Sequence, residues 1–265
     1  MNIRYKDALI SFEDRGAGNA VVLLHGFTES ADVWDFFVEN LVDSFRVITI
    51  DLPGHGESEC IGDVHHMEQM GEAVKTVLDH LNVSEAVIIG HSMGGYVALA
   101  MARVYPKLFR GLGLFHSTSL ADSEESREAR EKAIKVIKED HQGFLFNFIP
   151  ELFAPENRDR LAPEIEALIA KAKQMSKKAV VAAQEGMKSR SSSLDVLINA
   201  KFPVLFIAGQ KDSRVPFENI WVQMALTEEA HSLILRNVGH MGFLEAKYQT
   251  FDFTKAFISS CYRPR

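Results

Sequence analysis

The chain has 265 residues, 46% of them hydrophobic and 25% charged, with a formal net charge of −7. That is enough apolar material for one substantial core, or a core and a small accessory domain. The acidic balance, without any basic stripe, argues against a nucleic-acid partner, and no apolar run approaches the length of a membrane span.

Residues 2–6 and 8–14 alternate polar and apolar, which predicts an antiparallel hairpin ending at Gly16-Ala17-Gly18. Short apolar runs follow at 20–24, 45–50, 86–89, 111–115, 204–208 and 232–235. Each closes in a polar or glycine-rich turn, as buried parallel strands do. Helical patterns lie between them at about 30–41, 66–81, 93–104, 216–226 and 243–259. In 66–81, the apolar residues from Met67 to Leu81 fall on one face at helical spacing. Strand and helix alternate, so the fold class predicted is α/β with a mostly parallel sheet.

Residues 120–198 break the rhythm. They contain no convincing strand, and breaks are expected near Gly143, Pro150, Pro155 and Pro163. The stretch opens on Asp122-Ser123-Glu124-Glu125, a capped helix start with acidic residues in its first turn. It reads as a helical insertion lying over the sheet's C-terminal edge, between core segments 1–119 and 199–265. Phe144 and Phe148 are an i,i+4 pair that packs the insertion against the core or lines an apolar pocket.

The chemistry concentrates at Gly90-His91-Ser92-Met93-Gly94, between a β-branched run and a helical run of small residues. This has the form of a nucleophile elbow, a strand-to-helix turn that presents a serine hydroxyl. A serine needs a base, and the base needs an orienting group. His240, in the glycine-flanked loop Val238-Gly239-His240-Met241-Gly242, is the candidate base. Asp212, in the turn after the run 204–208, is the candidate acid, and Ser92, Asp212, His240 then follow the chain order of this architecture. Asp195 is a weaker alternative because it precedes that strand. Two N–H groups should hold an oxyanion, those of Met93 and of Phe27 in His25-Gly26-Phe27-Thr28. Asp51 and His55 belong to a tight Pro/Gly loop, and His65-His66 to a helix start with no partner at metal spacing. His116 and Tyr96 are candidate pocket residues. No metal and no cofactor is called for.

Taken together, these motifs make the chain resemble the α/β-hydrolase superfamily along nearly its whole length, and within it capped bacterial carboxylesterases. The resemblance implies an eight-stranded, mostly parallel sheet flanked by helices, a helical cap at 120–198 and a Ser92–His240–Asp212 triad. Serine at 92 argues against epoxide hydrolases and haloalkane dehalogenases, which carry aspartate there. Met241-Gly242-Phe243 departs from the tryptophan that typically follows the histidine of C–C bond hydrolases. Phe27 departs from the tryptophan usual in cofactor-free haloperoxidases. Tyr96 stands where the menaquinone-pathway synthase would want an arginine.

The expected function is hydrolysis of a small or medium carboxylic ester through an acyl-enzyme. Cleavage of a β-diketone-like C–C bond, or a ligand receptor with vestigial hydrolysis, are the alternatives. The expected partner is a small-molecule substrate; nothing in the pattern selects an oligomeric state. Cys60 and Cys261 read as free thiols, and the polar start Met1–Lys6 has no signal core, so a soluble cytoplasmic protein is expected.

Overall fold

The computed structural model describes residues 1–263. In the strand β3 (Ala20–Leu24), Val21 and Leu23 pack into one apolar core while Val22 and Leu24 pack into another, all four with no exposed surface. Side chains alternate across a strand, so covering both faces turns the usual alternation into an unbroken apolar run. The same holds for the runs in β4 (Arg46–Ile50), β5 (Ala86–His91), β6 (Phe109–Phe115) and β7 (Val204–Gly209).

These strands, with β1 (Asn2–Tyr5), β2 (Ala8–Arg15) and β8 (Ala230–Leu235), form one eight-stranded sheet in the order β1-β2-β4-β3-β5-β6-β7-β8. β1–β2 and β2–β4 pair antiparallel and every other pair is parallel. One core holds the buried faces of α2 (Met67–His80) and α3 (Met93–Val104); the other holds α1 (Asp35–Leu41) and the terminal helix α10 (Lys247–Cys261). Among the described residues no helix is long and apolar enough to cross a membrane.

Between β6 and β7 the chain is helical: α4 (Glu124–Phe148), α5 (Ala162–Ala172), α6 (Lys177–Ser189) and α7 (Leu194–Ile198). Ser123 caps α4 by accepting the N–H of Ser126 at 3.2 Å, as its sequence predicts. The break expected near Gly143 is a kink at Asp140, whose carboxylate accepts the N–H of Gly143 at 2.9 Å and restarts the helix. The break expected near Pro163 falls just before it, and Pro163 itself stands in the first turn of α5, where its missing N–H costs nothing. After β7 come α8 (Glu218–Ala225) and α9 (Gly242–Glu245). The single helix expected at 243–259 is thus two, α9 and α10, parted at Ala246, whose φ and ψ of −136° and 47° are not helical.

Candidate active site

Parallel strands bring their C-terminal ends to one edge, where the loops after β3, β5, β6, β7 and β8 meet. Backbone strain gathers there. Thr28, Ser92 and His116 have φ of 66°, 48° and 48°, three of the five positive values at non-glycine residues among those described. Each such conformation costs about 1–3 kcal/mol and persists only where its surroundings enforce it. At the elbow, a Cβ on Gly90 would lie 2.2 Å from the carbonyl carbon of Gly94, and one on Gly94 would lie 2.5 Å from the carbonyl oxygen of Leu24. Glycine is therefore required where strand, turn and helix touch. The turn is pinned from β6: Ser92 N–H donates to Phe115 O at 2.9 Å, and the Ser117 hydroxyl donates to Ser92 O at 2.8 Å.

Asp212 follows β7 and His240 follows β8. The His240 Nδ1–H donates to the Asp212 carboxylate at 2.8–2.9 Å, and both side chains are nearly sealed from solvent. Asp212 also accepts from the N–H groups of Arg214 and Val215 at 2.8 and 3.0 Å, and from His116 Nδ1 at 3.0 Å. Burial alone would raise the Asp212 pKa, but His240 and His116 together hold it well below the usual carboxylate range. The carboxylate stays ionised, and its bond to Nδ1 leaves Nε2 as the basic nitrogen of His240.

His116 departs from expectation. Positive φ turns its ring inward, where it is fully buried behind Asp212 and is not part of the cavity wall. Its Nε2 has no hydrogen-bond partner, and burial, opposed by Asp212, pushes its pKa down, so the ring is neutral. The donor atoms of His116, Asp212 and His240 lie within 4.8 Å of one another, near enough to share a cation. Four donors already occupy the carboxylate, so the group reads as a hydrogen-bonded relay.

A cavity of about 1030 Å³ opens between this edge and the helical segment above it; Ser92, His240, Phe27, Tyr96, Phe144 and Phe148 all face it. Phe144 and Phe148 stack at 5.3 Å, and Phe148 meets the Phe27 ring edge-on at 5.6 Å. Met93 begins α3, where first-turn N–H groups have no helical acceptor. His25 fixes the opposite loop by donating Nδ1–H to Gly26 O at 2.7 Å and accepting Leu52 N–H at Nε2, 2.9 Å away. Asp51 accepts the N–H groups of Ala31 and Glu57, the structural part its loop predicts. Asp195 pairs with Arg103, at 2.5 Å.

A family model for the alpha/beta hydrolase fold matches residues 19–247. The chain belongs to the α/β-hydrolase family. It is 31% identical to a thermophilic esterase from Thermogutta terrifontis whose structure was solved with malate bound. That likeness has a TM-score of 0.90 and covers 97% of this chain and 95% of the other. It is 30% identical over 255 residues to a putative 2-succinyl-6-hydroxy-2,4-cyclohexadiene-1-carboxylate synthase of Bacillus subtilis, 88% of this chain and 86% of that one. A third relative is the dihydrolipoyllysine-residue acetyltransferase component of an acetoin cleaving system of Pseudomonas putida, 29% identical over 261 residues. The match takes in 91% of this chain and 64% of that longer one.

Three residues of this α/β-hydrolase escape the sequence reading. Glu245, buried beneath the His240 loop, accepts the N–H groups of Gly239, Met241 and Ala154 at 2.9–3.2 Å, tying that loop to the helical segment. Glu29 and His91 lie between the other loops. Glu29 and Glu245 are buried acids, which are rare without partners, but their burial is visible only in the fold.

Proposed function

We propose that this hydrolase is a serine esterase that cleaves a small or medium carboxylic ester through an acyl-enzyme. The observation that carries the reading is His240, held through Nδ1 on an ionised Asp212 while it shares a cavity wall with Ser92. Ser92 attacks the ester carbonyl as His240 Nε2 takes its proton, and the N–H groups of Phe27 and Met93 receive the oxyanion. His240 returns the proton to the departing alkoxide. Water, activated by the same imidazole, then releases the acid. Residues 120–198 act as a lid inserted between core segments 1–119 and 199–265, and their aromatic side sizes the substrate. The esterase from Thermogutta terrifontis supports ester chemistry at this identity and coverage.

The test is fluorophosphonate labelling with turnover of p-nitrophenyl butyrate. Ser92→Ala should abolish labelling and lower kcat by roughly 10⁴-fold or more. A variant that still turned over like the wild type would end the serine mechanism. A panel of ester chain lengths then sizes the cavity.

A further inference from the structure

His91, the residue before Ser92, has an exposure of 0% and Glu29 of 3%. His91 Nδ1 lies 3.0 Å from the Glu29 carboxylate, and Nε2 lies 2.9 Å from the carbonyl oxygen of His240. The His240 carbonyl only accepts, an ionised carboxylate only accepts, and a neutral imidazole carries one N–H. With Glu29 ionised, satisfying both bonds requires the imidazolium. The same carboxylate accepts the N–H of Gly26 at 2.6 Å, one residue before Phe27. A Cβ on Gly26 would lie 2.7 Å from His91 Nδ1 and 3.0 Å from Glu29 Oε2, so glycine is what lets the pair close.

We propose that Glu29 and His91 form a buried ion pair that positions the catalytic loops, His91 holding the main chain of His240 and Glu29 holding the Phe27 loop. His240 is gripped from two sides: its N–H donates to Leu152 O at 2.7 Å and its carbonyl accepts from His91. Glu29 borders the cavity, but the bonds of the pair go to the Gly26 N–H and the His240 carbonyl and not to Ser92 or the His240 ring, so both act as positioning residues. The effect on turnover rests on the serine-esterase reading; the protonation of His91 does not.

The surroundings favour the charged form. Burial alone would push the His91 imidazole towards neutrality, but Glu29, with help from the His240 carbonyl and Asp212, raises its pKa above the ordinary value. Glu29 in turn is held below its ordinary value against burial by His91 and the Gly26 N–H, with His25 nearby. The imidazoles in ring contact with His91 are those of His240 and His116, with centroids 5.0 and 6.2 Å away, and His25 lies near enough to interact with it electrostatically; the remaining ring neighbours, Phe115 and Phe243, are apolar. Set against one another, Glu29 and His91 cancel. Asp212 remains free to stabilise the imidazolium that forms on His240 during turnover.

The test combines nitrogen-15 NMR of the histidine rings with steady-state kinetics on p-nitrophenyl butyrate. In the wild type, one ring, assigned by its loss in His91→Gln, should carry two N–H protons and keep them past the ordinary titration range near pH 6.5. Glu29→Gln should remove that signature and lower kcat by about 10- to 100-fold, the range for lost support behind a site, with KM moved less. Glu29→Asp, which keeps the charge, should recover part of kcat. A singly protonated His91 at pH 7 would overturn the proposal, as would Glu29→Gln with wild-type kcat across about pH 6–9, the span over which imidazoles titrate. If the wild type hydrolyses no ester and Ser92 takes no label, the esterase reading falls, and the NMR signature still decides the ion pair.

Discussion

The edge of the sheet and the helical segment above it are built on opposite terms. At the edge, Asp212 is saturated by four donors, His240 is gripped through both main-chain groups, and three residues are held in strained conformations. In the segment, α4 kinks at Asp140, and Val136 and Phe146 are about half exposed. The segment meets the cavity through stacked rings, and Arg214, from the loop after β7, lays its guanidinium 4.6 Å over the Phe148 ring. Over-determined geometry is what a reaction needs, whereas a surface of rings can be refashioned without disturbing it. Substitutions at the edge should therefore act on kcat, and substitutions in the segment should act on KM and on the choice of substrate.

The largest effect expected is that of Asp212→Asn. An amide offers one acceptor oxygen and turns its NH₂ towards groups that are themselves donors, so either His240 flips to the wrong tautomer or a main-chain N–H is left unpaired. A fall in kcat of roughly 10⁴-fold is expected, the size measured when a triad aspartate becomes asparagine. Stopped-flow and steady-state rates on one ester would measure it. Less than a tenfold loss would show that His240 does not depend on Asp212, and the contrast between the two regions would lose its centre.

Much of this edge is legible in the sequence because it is made of local signals. The runs at 20–24 and 86–89 announce strands covered on both faces, and Gly90 and Gly94 mark a turn with no room for side chains. Ser92 follows β5 directly, and Asp212 and His240 stand in the loops after β7 and β8, so the parallel topology carries all three to the same edge. Glu29 and His91 are different: the residues stand 62 positions apart, and neither carries a local mark of its partner. His116 escapes for another reason. Its place after β6 suggests the cavity, whereas a left-handed backbone, which no sequence signal marks, accompanies a buried ring bonded to Asp212. The break between α9 and α10 is likewise invisible, because an apolar helical pattern runs straight across Ala246.

The ion pair gives the edge a second signature, in stability. His91 has its pKa raised by folding, so its contribution is complete below the unfolded value near 6.5 and is lost as pH climbs through the folded value. Glu29 has its pKa lowered, so its contribution is complete above the unfolded value near 4.5 and is lost as pH falls through the folded one. The two together stabilise the fold most between those limits. Glu29→Gln should cost about 3 kcal/mol near pH 6, as breaking a buried pair does, and the deficit should shrink towards both extremes. Urea midpoints of wild type and variant across pH would follow it, and a deficit independent of pH would mean that the pair is not ionised.

The smallest effect sharpens the contrast from the other side. Phe148 is held by Phe144, Phe27 and Arg214, and its ring faces the cavity rather than the sheet's interior. Phe148→Ala removes wall, not reacting atoms, and widens the space over Ser92. An interaction made equally with substrate and transition state lowers KM without raising kcat, so its loss should raise KM by up to about tenfold for short acyl esters and leave kcat near wild type. Longer or bulkier esters should suffer less, because they refill the vacated volume. A panel of p-nitrophenyl esters of rising chain length would show the optimum moving upward. Were kcat to fall equally for every chain length, Phe148 would be supporting the Phe27 loop through the ring contact, and it would belong with the edge.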